Sequence, residues 1–124
     1  MQKTESTENY LERILMLRQE KGNVRAIDVA NALNFSKPSV SIAVKRLQEQ
    51  GYLIVDDGHC LKLTPSGEAI AQKIYQRHCN LAALFMAVGV SKEQASTDAC
   101  MIEHDISEET YQCLLNHYKS HFKG

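Results

Sequence analysis

Between Ser36 and Pro65 the spacing of apolar residues changes twice, and few folds accommodate both changes. Over "SKPSVSIAVKRLQEQG", Val40, Val44 and Leu47 recur at intervals of four and three, the period of a helix buried along one stripe. Ser36 is placed to cap that helix, Pro38 falls in its first turn and Gly51 ends it. The period then drops to two. "YLIV" and "CLKLT" flank "DDGH", where the Asp57-Gly58 pair signals a hairpin turn. Thr64 and Pro65 restart a helix as its cap and first residue.

Upstream, residues 5–21 predict a helix with Leu11, Ile14, Leu15 and Arg18 on one stripe, closed by "KGN", and "AIDVANAL" at 26–33 predicts a second. Downstream, the helix from Pro65 is expected to reach about Val88, with Ile70, Ile74, Leu81, Phe85 and Val88 on one face. Ser91 and Gln94 form a capping box for a helix over 91–104. Ser107 caps the last helix, whose inner side is Tyr111, Leu114, Leu115, Tyr118 and Phe122. The expected fold is mainly α. Helix, helix, helix and hairpin is the order of a winged helix-turn-helix, here residues 1–64, with a helical domain in 65–124.

Composition removes several classes. No apolar stretch approaches the ~18 residues that span a bilayer, so no membrane partner is expected. The polar start "MQKTESTENY" lacks the apolar core of a secretion signal, and a cytoplasmic location follows as the expectation. Cys60, Cys79, Cys100 and Cys113 form no CxxC pair, which argues against a disulfide framework or a zinc ribbon. No HExxH, nucleophile elbow or phosphate loop is present, and the chain is not expected to be an enzyme.

Charge is divided unevenly. Arg13, Arg18, Lys21, Arg25, Lys37, Lys45 and Arg46 face only Glu20 and Asp28 in that segment, whereas from Pro65 onward five basic residues meet seven acids. A basic front half suggests a polyanion. The helix over 36–50 offers Ser39, Ile42, Lys45 and Arg46 on its outer face. Short hydroxyls reach phosphates or base edges, and an outward Ile42 suits a thymine methyl better than solvent. Ser36, Lys37, Pro38 and Ser41 at the start of that helix, and Arg25 before the second, complete the candidate DNA-binding set. An ordinary polar helix face is the plain alternative; the hairpin directly after it favours double-stranded DNA. Asp56 and Asp57 at the wing tip would repel phosphate, so the wing is expected to contribute little.

The stretch "CMIEHD" raises a different chemistry. On a helix, Cys100, Glu103 and His104 at i, i+3 and i+4 share a face, bringing a thiol, a carboxylate and an imidazole together. His78 lies on the inward stripe of its own helix, either as a hydrogen-bonded core histidine or as a ligand. Asn9 and Glu12, read alone, belong to a solvated face beside the stripe of helix 5–21. His117 and His121 read as a surface pair, and Cys113 as packed within its helix.

Taken together, "STENYLERILML", "SKPSVSIAVKRLQEQGYL", "LKLTPSGEAIA", "QRHCNLAALF" and "DACMIEHDIS" make the chain similar to the diphtheria-toxin-repressor and manganese-transport-regulator family, from about Thr4 to Phe122. The resemblance implies a metal-dependent transcriptional repressor, a winged helix followed by a helical dimerisation domain, in the shorter layout without an SH3-like domain. It places metal ligands at Asn9, Glu12, His78, Cys100, Glu103 and His104. One site would use Asn9, Cys100, Glu103 and His104, and an adjacent one Glu12, His78, Cys100 and Glu103. Manganese-type members carry carboxylates where Asn9 and Cys100 stand. Iron-type members share the Cys-x-x-Glu-His arrangement, but have ancillary ligands where this chain has Ala82 and Ser96. A thiolate ligand ranks iron(II) first and manganese(II) second, with zinc(II) or cobalt(II) as occupants in vitro. The implied partners are a second copy of the chain and a palindromic operator. The rival expectation is a metal-independent or thiol- or zinc-responsive winged-helix regulator.

Overall fold

A computed structural model describes residues 2–123, with side chains for 7–121. Phe122, expected on the buried side of the last helix, lies outside the residues with described side chains. The elements are α1 (Gln2–Lys21), α2 (Ala26–Leu33), α3 (Lys37–Glu49), β1 (Leu53–Val55), β2 (Leu61–Leu63), α4 (Pro65–Ala87), α5 (Lys92–Ile102) and α6 (Glu108–Tyr118), followed by a π-helical turn, Lys119–Lys123. The fold is mainly α, an N-terminal winged helix-turn-helix followed by a helical domain. Two compact units divide the chain, Met1–Lys73 and Ile74–Gly124.

In the first unit, Leu11, Ile14 and Leu15 of α1, Val29 and Ala30 of α2, and Val40, Ala43, Val44 and Leu47 of α3 are buried with Leu53 and Leu61 of the hairpin. Asn34 takes the left-handed conformation between α2 and α3. The Ser36 hydroxyl then accepts from the Ser39 amide at 3.2 Å and starts α3. Gly51, at φ +84°, ends it. Tyr52 N donates to Leu47 O and Gly51 N to Gln48 O, both at 3.0 Å, closing the orphan carbonyls as a Schellman motif does.

The hairpin pairs Leu53 with Leu63 and Val55 with Leu61 on its inner face, and Ile54 with Lys62 on its outer face. Leu61 N also donates to Val24 O at 2.7 Å, which ties β2 to the connection before α2. The turn differs from the expected one. His59, rather than Gly58, takes the positive φ, at 65°. The Asp56 carboxylate accepts from Gly58 N and Cys60 N, both at 2.9 Å, and holds a three-residue turn whose last residue is left-handed.

Arg18 and Glu68 form a two-pronged pair within this unit, at 2.7 and 2.8 Å. Hydrogen bonds from Arg18 and then Gln72 push the Glu68 carboxyl down to about 2. Its folded pKa lies below the unfolded one, so the stabilisation is present above pH 4.5 and fades as pH falls toward 2. With side chains 41% and 33% exposed, the pair is screened and worth about 0.5–1 kcal/mol. Glu68→Gln should lower stability by about that amount at pH 7 and change it little at pH 2. Urea unfolding at both pH values measures this; an equal loss at each would remove the charge from the explanation.

In the second unit, Leu81 of α4, Ala99 of α5 and Tyr111 of α6 form a core flanked by Phe85, Ile102, Ile106 and Leu114. Three expectations fail here. Val88 is 61% exposed because α4 ends at Ala87, leaving it past the last turn. The Ser91 hydroxyl accepts from Gln94 N at 3.3 Å, but the Gln94 amide donates forward to Asp98 at 2.8 Å, so the capping is one-sided. Cys113 is exposed, since it falls off the stripe of Tyr111, Leu114, Leu115 and Tyr118.

Candidate metal centre and nucleic-acid interface

Of the seven basic residues counted in the front half, Arg18 pairs with Glu68 and Lys21 with Asp28, at 2.6 Å for the latter. The unspent positive charge therefore belongs largely to α3 and its approach. Lys37, Ser39, Ser41 and Lys45 are exposed, and Ile42 is 66% exposed. Ser36 Oγ donates to Ser39 Oγ at 2.8 Å, so both hydroxyls sit at the helix start beside Lys37 and Pro38. Arg46 is half-buried rather than on the fully exposed face. It acts on Tyr10, whose hydroxyl is pushed up by burial and drawn down in part by the Arg46 charge. Arg25 is exposed, but it stands before α2, bridged to Cys60 of the hairpin.

In the second unit, α5 stops at Ile102, short of the expected 104. Cys100 is half-buried on its last turn, Glu103 is the C-cap residue, and His104 lies in the following turn. The main chain closes there through Asp105 N donating to Ile102 O at 2.9 Å. Glu103 is fully buried. Its Oε1 lies 3.0 Å from Nδ1 of His78, itself buried on α4. A carboxylate only accepts, which places the imidazole proton on Nδ1 and leaves Nε2 to accept from Ser96 Oγ, 3.5 Å away. Both readings of His78 meet here, for it is hydrogen-bonded in the core to another candidate ligand.

Among the described residues, Glu103 Oε2 accepts no hydrogen bond, and Nε2 of His104 is 3.7 Å away from it. That separation is too long for a hydrogen bond. A buried carboxylate oxygen without a donor is costly, and an adjacent cation removes the cost. Glu103, His104 and Cys100 supply oxygen, nitrogen and sulfur donors, a set suited to borderline divalent transition metals. The residues present fit such an ion. Asn9 and Glu12 sit on α1 in the first unit, half-buried and buried respectively, so the expected solvated face is not what Glu12 occupies. His117 and His121 are an exposed stacked pair with ring centres 4.1 Å apart.

Arg77 was not among the expected site residues. Its guanidinium donates to the main-chain oxygen of Glu103 at 2.8 Å and pairs with Glu108 at 2.6 Å. Sequence patterning carries no signal for it, because one partner is a peptide carbonyl.

Comparison with known proteins agrees with this layout. The N-terminal DNA binding domain of the iron dependent repressors matches residues 2–59, and their metal binding and dimerisation domain matches residues 64–121. The HTH-type transcriptional regulator MntR of Geobacillus kaustophilus (strain HTA426) is 38% identical over 104 residues, 84% of this chain and 74% of that protein. The transcriptional regulator MntR of Salmonella typhimurium is 35% identical over 117 residues, 94% of this chain and 74% of that one. Among solved structures, T. acidophilum IdeR gives a TM-score of 0.79 at 27% identity, over 90% of this chain and 53% of that one. A manganese-dependent transcriptional repressor solved in complex with manganese shares the fold, with a TM-score of 0.79 at 23% identity over 90% of this chain and 51% of that one. The chain thus spans about half the length of these solved structures. Both halves of the chain match, in order, the two domains of a single repressor family, and the chain belongs to the iron dependent repressors.

Proposed function

We infer that this chain is a metal-dependent, DNA-binding transcriptional repressor of metal-ion homeostasis, not an enzyme, acting in the cytoplasm as a homodimer on a palindromic operator. The observation that carries the metal half is the buried Glu103 carboxyl, with one oxygen on His78 and the other without a hydrogen-bond donor among the described residues. Residues 1–64 serve DNA and 65–124 serve metal and dimerisation. Cys100, Glu103 and His104 are the central ligands; Asn9 completes one site, and Glu12 and His78 complete an adjacent one with Cys100 and Glu103. The metal supplies a fixed positive charge that binds these donors in one arrangement. Iron(II) ranks first because the Cys100 thiolate is a soft ligand, with manganese(II) second. Among the described residues no helix is long and apolar enough to cross a membrane. Exposed Met86, Val88 and Met101 in the second unit support an apolar contact between two copies. Two-fold symmetry then sets half-sites about one DNA turn apart, or a small multiple.

Operator binding, titrated anaerobically with iron(II), cobalt(II) or manganese(II), tests the inference. DNA affinity that is the same in chelator and in saturating metal would overturn it. The Cys100→Glu variant should shift the ranking toward manganese by about tenfold relative to iron and cobalt, as a hard donor replaces a soft one. An unchanged ranking would show that Cys100 does not set selectivity.

Lys45 and Arg46 are assigned to phosphate rather than to bases. Lys45→Ala or Arg46→Ala should weaken binding to all sequences alike and reduce the salt slope by roughly one unit. A variant with altered base preference and an unchanged slope would contradict the assignment.

A further inference from the structure

We propose that Arg77 is a positioning residue of the metal centre, holding the Glu103–His104 segment at the angle that lets both side chains bind one ion. This rests on the metal-dependent reading above. Helix ends leave carbonyls without partners, and the last turn frays unless something satisfies them. At the end of α5 that carbonyl is Glu103 O, and Arg77 Nη1 reaches it at 2.8 Å across 26 residues of sequence. The guanidinium is itself fixed on two further sides. Nη2 pairs with Glu108 at 2.6 Å, and the group lies 4.6 Å above the ring centre of the buried Tyr111. Tyr111 is anchored in turn, its hydroxyl accepting from Asn80 Nδ2 at 2.7 Å. With its side chain 14% exposed, Arg77 is a packed planar clamp between α4, the end of α5 and the start of α6.

Glu103 still donates its amide to Ala99 O at 3.0 Å as the C-cap of α5, but His104 lies in the turn beyond the helix. The peptide that Arg77 grips joins the two, and it sets the direction of His104 relative to Glu103. A planar fork can hold the Glu103 carbonyl and the Glu108 carboxylate together, whereas a lysine offers one point charge. Supporting groups of this kind commonly contribute 10- to 100-fold to metal affinity.

Cobalt(II) alone, without DNA, is the probe, read by its d–d absorption and by competition with a chelator. Arg77→Met should weaken cobalt(II) binding by about tenfold or more and change the absorption band, and Arg77→Lys should fall between it and wild type. A merely structural arginine would lower the melting temperature of the metal-free protein while leaving the cobalt(II) affinity and spectrum of the folded fraction unchanged, and that result overturns the proposal. Should Arg77→Met fail to fold, Arg77→Lys decides alone: several-fold weaker binding supports the clamp, and wild-type affinity refutes it. Wild-type protein that binds no cobalt(II) at all would instead sink the metal-dependent reading itself.

Discussion

Gly67→Ala should destabilise the protein by about 3 kcal/mol or more, although alanine is the better helix former by about 1 kcal/mol. Gly67 is buried in the first turn of α4. A Cβ there would lie well inside contact distance of Tyr52 O and 2.9 Å from Tyr52 C. The obstacle is main chain, and it is held on both sides. Tyr52 O accepts from Thr64 N and Tyr52 N donates to Leu47 O, each at 3.0 Å. The Thr64 hydroxyl donates to Gly51 O at 2.6 Å and accepts from Gly67 N at 3.1 Å. The end of α3, the entry to β1 and the start of α4 therefore share one knot of hydrogen bonds, and moving Tyr52 breaks several at once. Steric exclusion outweighs helix propensity. Thermal unfolding should show a fall of roughly 10–20 °C. Ser66→Ala, one residue away and exposed, should change stability by less than about 0.5 kcal/mol. A Gly67→Ala protein melting at or above wild type would mean that the close approach to Tyr52 is not rigid.

How far the sequence reveals this molecule depends on whether a feature has a local cause. In α3 the cap, the stripe and the terminator are each local, and Ser36, Val40–Val44–Leu47 and Gly51 take the expected places. The hairpin exists where the period of two places it, but its turn is shifted by one residue. Asp56 turns its own carboxylate into the loop, and that bond rather than the glycine decides which residue goes left-handed. The end of α5 comes two residues before the expected one, because apolar spacing does not register a carbonyl gripped from another helix. Likewise Glu12 gives no sign of burial in the pattern of its own helix, since polar side chains at such positions usually face water, whereas the inward stripe does register His78 but not its partner Glu103. Cys113 shows the converse error, where a residue type that is usually inside lies off the buried stripe. Side-chain chemistry was legible as a list of donors; what each one faces is set by tertiary contacts.

Glu103→Gln should abolish the effect of metal on operator affinity while leaving the metal-free protein as stable as wild type, or about 1 kcal/mol more so. The two effects have one cause. A carboxyl that is fully buried, with Oε2 accepting no hydrogen bond from the described residues, is a poor choice for a core made only to be stable. The amide has the same shape, keeps an acceptor for Nδ1 of His78, and carries no charge to bury. In the metal-bound protein the order reverses, because a neutral amide is a much weaker partner for a divalent cation. Coupling between a ligand site and a second site typically amounts to about 1–3 kcal/mol, or roughly 5- to 150-fold in affinity. The variant should lose that whole factor, so that its operator affinity with metal equals its affinity in chelator. Denaturant unfolding of the metal-free protein, paired with operator titration in iron(II) or manganese(II), measures both sides. If Glu103 serves only as the hydrogen-bond partner of His78, the amide will lower stability and the metal response will persist. That outcome would move the metal centre away from the end of α5.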